Sequence, residues 1–150
     1  MRGLKEQSPN AIILPRPMIK SPDFDFSFSG LKTAVLYLVR KLPHLHDDMR
    51  ATIAREFEDA VVEVLVSKTL RAAKKYKIKT LIVAGGVAAN KHLRDVFEAE
   101  AKKEKIKLLF PIRDLATDNS LMIALAGYFQ YSGNKKAPRK NLRALGNLEL

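Results

Sequence analysis

The run Gly85-Gly86-Val87-Ala88-Ala89-Asn90 lies between an apolar, β-branched stretch, Thr80-Leu81-Ile82-Val83-Ala84, and a segment with helical patterning. Two glycines strip side chains from a turn that backbone can then use to approach a flat ligand, and the helix start beyond them brings unsatisfied N–H donors. In open α/β sheets, ligands bind just outside the carboxyl ends of strands, which is where this turn falls. It is no dinucleotide fingerprint, because the later glycine is missing, and no phosphate loop, because no Gly-Lys-Ser/Thr follows. The plainer reading is a tight turn with Asn90 as a helix N-cap. These residues alone leave nucleotide contact and capping both open.

Three other groupings have chemical potential. Thr117-Asp118-Asn119 opens the last helical pattern; Asp118 is by default an N-cap, and beside a ligand crevice it is also a plausible metal ligand. His44-Leu45-His46, followed by Asp47 and Asp48, could chelate a metal, but a second pair of ligands at helical spacing is missing and His92 stands apart, so a polar loop is the favoured reading. Ser29-Gly30-Leu31-Lys32 matches the S-x-x-K pattern of serine acyl-enzymes, but the only Lys-Thr-small sequence reuses Lys32, and one lysine cannot serve two elements. Ser29 and Lys32 remain candidates for a polar turn at a helix start that would accept an anion.

The elements that must position these residues follow from periodicity. Residues 1–22, with Pro9, Pro15, Pro17 and Pro22, read as an extended arm. The alternation Asp23-Phe24-Asp25-Phe26-Ser27-Phe28 predicts a short strand or an extended arm with one buried face. Helices are predicted over 31–42, closed by Pro43, and over 49–76, where apolar residues recur at three- and four-residue steps and 60–66 is apolar nearly all round, as if buried on more than one side. Lys68, Arg71, Lys74, Lys75 and Lys77 give the end of that helix the sign its dipole prefers. A buried parallel strand over 80–84, a helix over 91–105 with Leu93, Val96, Phe97 and Ala101 inward, a strand over 106–110 and a helix over 119–131 complete the pattern. No internal repeat stands out, and 133–150 reads as a basic tail. Alternating strands and helices with short connections make this an α/β chain, yet two strands are few for a parallel sheet covered on both faces. The expectation is part of a larger unit.

Composition narrows the function. The 150 residues are 47% apolar and 29% charged, a globular balance. Zero cysteines exclude disulfides, thiolate metal sites and cysteine nucleophiles. No run approaches the roughly 20 apolar residues of a membrane helix, and no secretory leader is visible, so a cytoplasmic address is expected. Lys and Arg number 27 against 16 Asp and Glu, a net charge of +11 that attracts polyanions such as RNA. The few aromatic residues form no stacking stripe for single strands.

Together, Phe26-Ser27-Phe28-Ser29-Gly30-Leu31-Lys32-Thr33-Ala34, Gly85-Gly86-Val87-Ala88-Ala89-Asn90 and Ala116-Thr117-Asp118-Asn119, in that order and spacing, resemble the TsaD family in its bacterial form. These are tRNA adenosine threonylcarbamoyltransferases, long labelled O-sialoglycoprotein endopeptidases (the glycoprotease family). The resemblance implies a partial actin/Hsp70/sugar-kinase-like (ASKHA) α/β fold over 23–132. It also implies transfer of a threonylcarbamoyl group from its adenylate to the N6 of the adenosine beside the anticodon. On that basis Gly85 and Gly86 would pack near the adenosine portion, Asn90 would contact bound ligand, and Asp118 would bind a divalent metal such as iron, zinc or magnesium. Implied partners are tRNA, threonylcarbamoyl-adenylate or an ATP-type nucleotide, and TsaB- and TsaE-like proteins.

The departure from the family is one of extent. Its members are roughly twice as long, and their N-terminal half carries an H-x-x-x-H pair that this sequence lacks. The chain thus resembles a C-terminal half, expected to be inactive alone, to hold no metal stably, and to self-associate through uncovered apolar surface and an open sheet edge. The alternative is a non-catalytic basic module that binds RNA or protein. Peptidase chemistry has little support without a thiol, a complete histidine pair or a Ser-His-Asp set.

Overall fold

One long helix organises the chain. In the computed structural model, which describes residues 12–112, 115–117 and 119–134, the elements run α1 (Ser29–Lys41), α2 (Asp47–Lys75), β1 (Thr80–Ile82), a 3-10 turn (Gly86–Ala89), α3 (Lys91–Lys103), β2 (Lys107–Leu109) and α4 (Ser120–Asn134). Helix α2 is apolar on two sides and buries both. Val62, Val66, Leu70 and Ala73 join Leu93, Phe97 and Ala101 of α3 and Ile106 in one core. Ala60 joins Leu14 and Leu31 in a second, with Phe28, Val35 and Leu38 packed against it. Burial on more than one side of the middle of α2 is thus observed. At about 1.5–3 kcal/mol for each large side chain buried, the first core is the main stabilising mass, and Phe97→Ala would remove about 3–5 kcal/mol of it.

Strands β1 and β2 pair in parallel, with Thr80 opposite Lys107 and Ile82 opposite Leu109. The strand-helix-strand unit is the expected one, though each strand is shorter than its apolar run, and burial is one-sided. Leu81, Val83, Leu108 and Phe110 face the core, while Ile82 is 69% and Leu109 40% exposed. The sequence reading of 80–84 as a strand buried on both faces is therefore corrected: both strands supply apolar residues for a second layer that the described residues do not provide. Helix α4 repeats the lesson. Every described side chain from Ser120 to Gly133 is exposed.

Residues 23–28 form no strand. Their alternation reflects a strap tied to α2 by cations. The Lys68 ammonium, 0% exposed, donates to Met18 O at 3.0 Å, Ser21 Oγ at 2.7 Å and Asp23 Oδ1 at 3.1 Å, which uses all three of its donors. Arg71 donates to the carbonyls of Ile19, Ser21 and Asp23 and lies over the Phe24 ring at 5.6 Å. Lys68 and Arg71 are thus strap clamps rather than partners of the helix dipole, which falls to Lys74 and Lys75 in the last turn. Helix α2 also begins two residues before the predicted start, because Asp47 and Asp48 suit the dipole at its N-terminus.

The structure also exposes a repeat. Ala-Lys-Lys-x-Lys-Ile-Lys occurs at 73–79 and again at 101–107. Both copies end a helix in the same way. The Ile78 N–H reaches Ala73 O and Lys77 N–H reaches Lys74 O, and Ile106 and Lys105 do likewise with Ala101 and Lys102. Lys77 and Lys105 each take φ 55°, the left-handed position where such caps usually place glycine.

Candidate functional site

The two parallel strands deliver their carboxyl ends to one side of the molecule, and a cleft of about 540 Å³ opens there. Gly85 and Gly86 form one wall, Pro111, Ala116 and Thr117 another, and Met122 of α4 the rim. The volume and mostly apolar lining suit a nucleoside-sized ligand. Gly85 has φ +97°, which an L side chain rarely adopts, and so it turns the chain out of β1. Gly86 has no such constraint; a Cβ there would stand 4.0 Å from the Thr117 methyl, so its missing side chain keeps the cleft open.

Asn90 stands behind the turn rather than in the cleft lining. Its Oδ1 accepts the Leu93 N–H at 2.8 Å, capping α3, and its Nδ2 donates to Glu58 Oε1 at 2.7 Å. That leaves one N–H and one lone pair of the amide free for a ligand. His92 is tied to the same helix, with Nε2 2.8 Å from Asp59 Oδ1. Sequence reasoning overlooked Arg94. Its Nε donates to Ala88 O at 2.5 Å, its Nη2 to Pro111 O at 2.9 Å, and its guanidinium lies 4.7 Å from the Phe110 ring centroid. One side chain thus joins the glycine turn to the exit of β2, fixing both walls. The available signal was an arginine one turn into α3, four residues after the cap.

The remaining candidates lie elsewhere. Ser29 begins α1, whose N-terminus has no side-chain cap and no acidic residue in its first turn; Ser29 Oγ is 3.1 Å from Ser27 Oγ and Lys32 is exposed. Neither lines the cleft. The rings of His44 and His46 sit 6.2 Å apart in tilted contact. Asp118 lies outside the described residues. Among the described residues no group of three or more His, Asp and Glu side chains is placed to hold a metal ion, so those donors do not by themselves fit one. A second groove, about 570 Å³, runs between α2 and α3, and most of its charged groups are engaged: Arg16 bonds Glu56 and Glu63, and Lys74 bonds Glu104, while the buried Nε of Arg71 has no partner among the described residues. The cleft at the strand ends is walled by glycine backbone without side chains, and we take it as the site.

No helix among the described residues is long and apolar enough to cross a membrane. The model of the TsaD family, described as tRNA N6-adenosine threonylcarbamoyltransferase, matches residues 2–125. Among curated proteins bearing that same description, one from Ralstonia pickettii (strain 12J) is 52% identical over 124 residues, which is 80% of this chain and 36% of that protein. One from Burkholderia thailandensis is 52% identical over 126 residues, with the same coverage. A third, from Thermosipho melanesiensis, is 46% identical over 140 residues, 93% of this chain and 41% of its own length. The chain therefore spans well under half the length of these relatives.

Proposed function

The chain belongs to the TsaD family, and from that premise we propose that it supplies one wall of a site for threonylcarbamoyl transfer to tRNA. The observation that carries this reading is the cleft at the shared carboxyl end of two parallel strands, walled by Gly85 and Gly86. The adenosine portion of threonylcarbamoyl-adenylate would lie against that bare backbone. In the transfer, the N6 amine of the target adenosine attacks the carbamoyl carbonyl carbon. A C–N bond forms, the bond from that carbon to the phosphate oxygen breaks, AMP leaves and N6 gives up a proton. This chain's part is to bind and orient: Gly86 admits the ring, and Asn90 and Arg94 hold the turn from behind. Asp118 would contribute one ligand to a divalent metal, iron, zinc or magnesium, whose other ligands come from outside these 150 residues. Such an ion supplies Lewis acidity toward the carbonyl.

By the same reading the protein works in the cytoplasm with tRNA and with TsaB- and TsaE-like proteins. Alone, these 150 residues should form no threonylcarbamoyladenosine from the adenylate and tRNA. Adding a polypeptide with the histidine-bearing N-terminal part of a relative should restore transfer, and turnover without it overturns the partial-site reading. Gly86→Ile should weaken AMP binding about tenfold or more by filling the wall; unchanged affinity removes the cleft from consideration. A non-catalytic RNA-binding role, favoured by the lysine-rich helix ends, predicts instead that the reconstituted pair binds tRNA but forms no threonylcarbamoyladenosine.

A further inference from the structure

The paired helix ends form a feature the cleft does not use. Because β1 and β2 are parallel and in register, the two Ala-Lys-Lys-x-Lys-Ile-Lys turns that precede them lie side by side, joined where the Lys107 N–H meets Lys79 O at 2.9 Å. The two copies carry eight lysines, all exposed, against one acidic residue, Glu104. Glu104 is occupied by Lys74 at 2.7 Å. Lys103 likewise pairs Glu100, just before the second copy, at 2.6 Å, and each helix C-terminus contributes about half a negative charge, which leaves the pole about five units positive. Diffuse solvation of a basic surface would scatter such charge; here it is gathered at one end of the sheet.

A second observation is independent of the charge count. Lys77 and Lys105 occupy left-handed positions at a strain of about 1–2 kcal/mol each, where glycine would relieve it. In both copies a lysine stands there instead. In the first copy the Tyr76 ring is 62% exposed, with the Phe24 ring 5.8 Å away and the Lys75 ammonium 5.8 Å from its centroid. Lysines are point charges on flexible stems, and neither copy contains an arginine for bidentate reading of bases. The chemistry matches a phosphate backbone and carries no sequence code.

We propose that this twin-turn pole binds the phosphate backbone of RNA. It lies at the amino ends of the strands, six residues and at most about 20 Å of extended chain from Gly85, so it would grip a helical stem at a distance from the reacting base. The choice of RNA over another polyanion rests on the transferase reading; the basic pole itself does not.

The test is tRNA binding by this chain across a series of salt concentrations, with no adenylate present, so that failure of transfer and failure of the pole are read separately. The variant with Lys77→Gln, Lys79→Gln, Lys105→Gln and Lys107→Gln is compared with a control carrying Lys20→Gln, Arg40→Gln, Lys41→Gln and Arg55→Gln. Losing four phosphate contacts should flatten the slope of log affinity against log salt by about 3 and weaken binding about tenfold or more, while the control moves less than about threefold. Circular dichroism confirms that both variants keep their helices. Equal losses in both variants, no loss in the pole variant, or tighter binding to phosphatidylserine vesicles than to tRNA would each overturn the proposal.

Discussion

Gly85 and Gly86 are neighbours with different duties, and substitution separates them. Gly85→Ala forces an L side chain into an extended backbone of positive φ (φ 97°, ψ 168°) that is essentially glycine's alone, and should cost about 1–3 kcal/mol in urea denaturation. Gly86→Ala meets only ordinary contact and should stay within about 0.5 kcal/mol of the parent. Equal losses at the two positions would contradict this division. Asp23 supplies a pH signature. The Ser21 hydroxyl first, then the Lys68 ammonium, hold its carboxyl below the ordinary range. Folding therefore favours the ionised form. The stabilisation is complete above the unfolded value of about 3.9 and is lost as pH falls through the lower folded value. Asp23→Asn should accordingly be less stable than the parent near about pH 6 and approach it near about pH 2. A gap of constant size at both pH values would show that the carboxylate charge is not what holds the strap.

At the scale of elements, the repeated helix ends make the cleanest forecast. Lys77→Gly and Lys105→Gly each exchange a strained lysine for the residue the geometry prefers and should raise stability by up to about 1 kcal/mol, after the entropy glycine adds to the unfolded chain. Thermal unfolding of the single and double variants checks this, and any departure of the double variant from additivity measures the coupling between the two adjoining turns. Helices α1, α2 and α3 were legible because their apolar residues recur at helical steps, and both strands because a β-branched or apolar run stops at glycine or proline. The strap was not. Asp23 to Phe28 alternates as a strand does, yet the partner that orders it is a buried lysine more than forty residues away, and nothing local marks Lys68 as different from the basic residues that follow it. The glycine turn of the cleft could be read from its place between strand and helix, whereas Arg94 could not, since its two acceptors are backbone carbonyls that only the fold brings together.

The whole molecule is stable on one side and unfinished on the other. The outer face of the sheet presents Ile82 and Leu109 to solvent, and α4 presents Ile123, Leu125 and Phe129; large apolar side chains exposed in such groups favour association. Size exclusion with light scattering at two concentrations should therefore show growth in mass with concentration. Ile82→Thr with Phe129→Gln should shift the population toward monomer without loss of helicity. A monomer at both concentrations would mean that the exposed face is tolerated as it stands.

Helix α4 also bears on how much of this protein a cell retains. Its apolar side chains lie all round the helix, so no rotation hides them, and a newly made chain displays them until a cover arrives. Holdase chaperones and quality-control proteases act on that kind of display. Synthesis together with a polypeptide carrying the N-terminal part of a relative should lengthen the chain's half-life where that part covers α4, and an unchanged half-life would show that it does not.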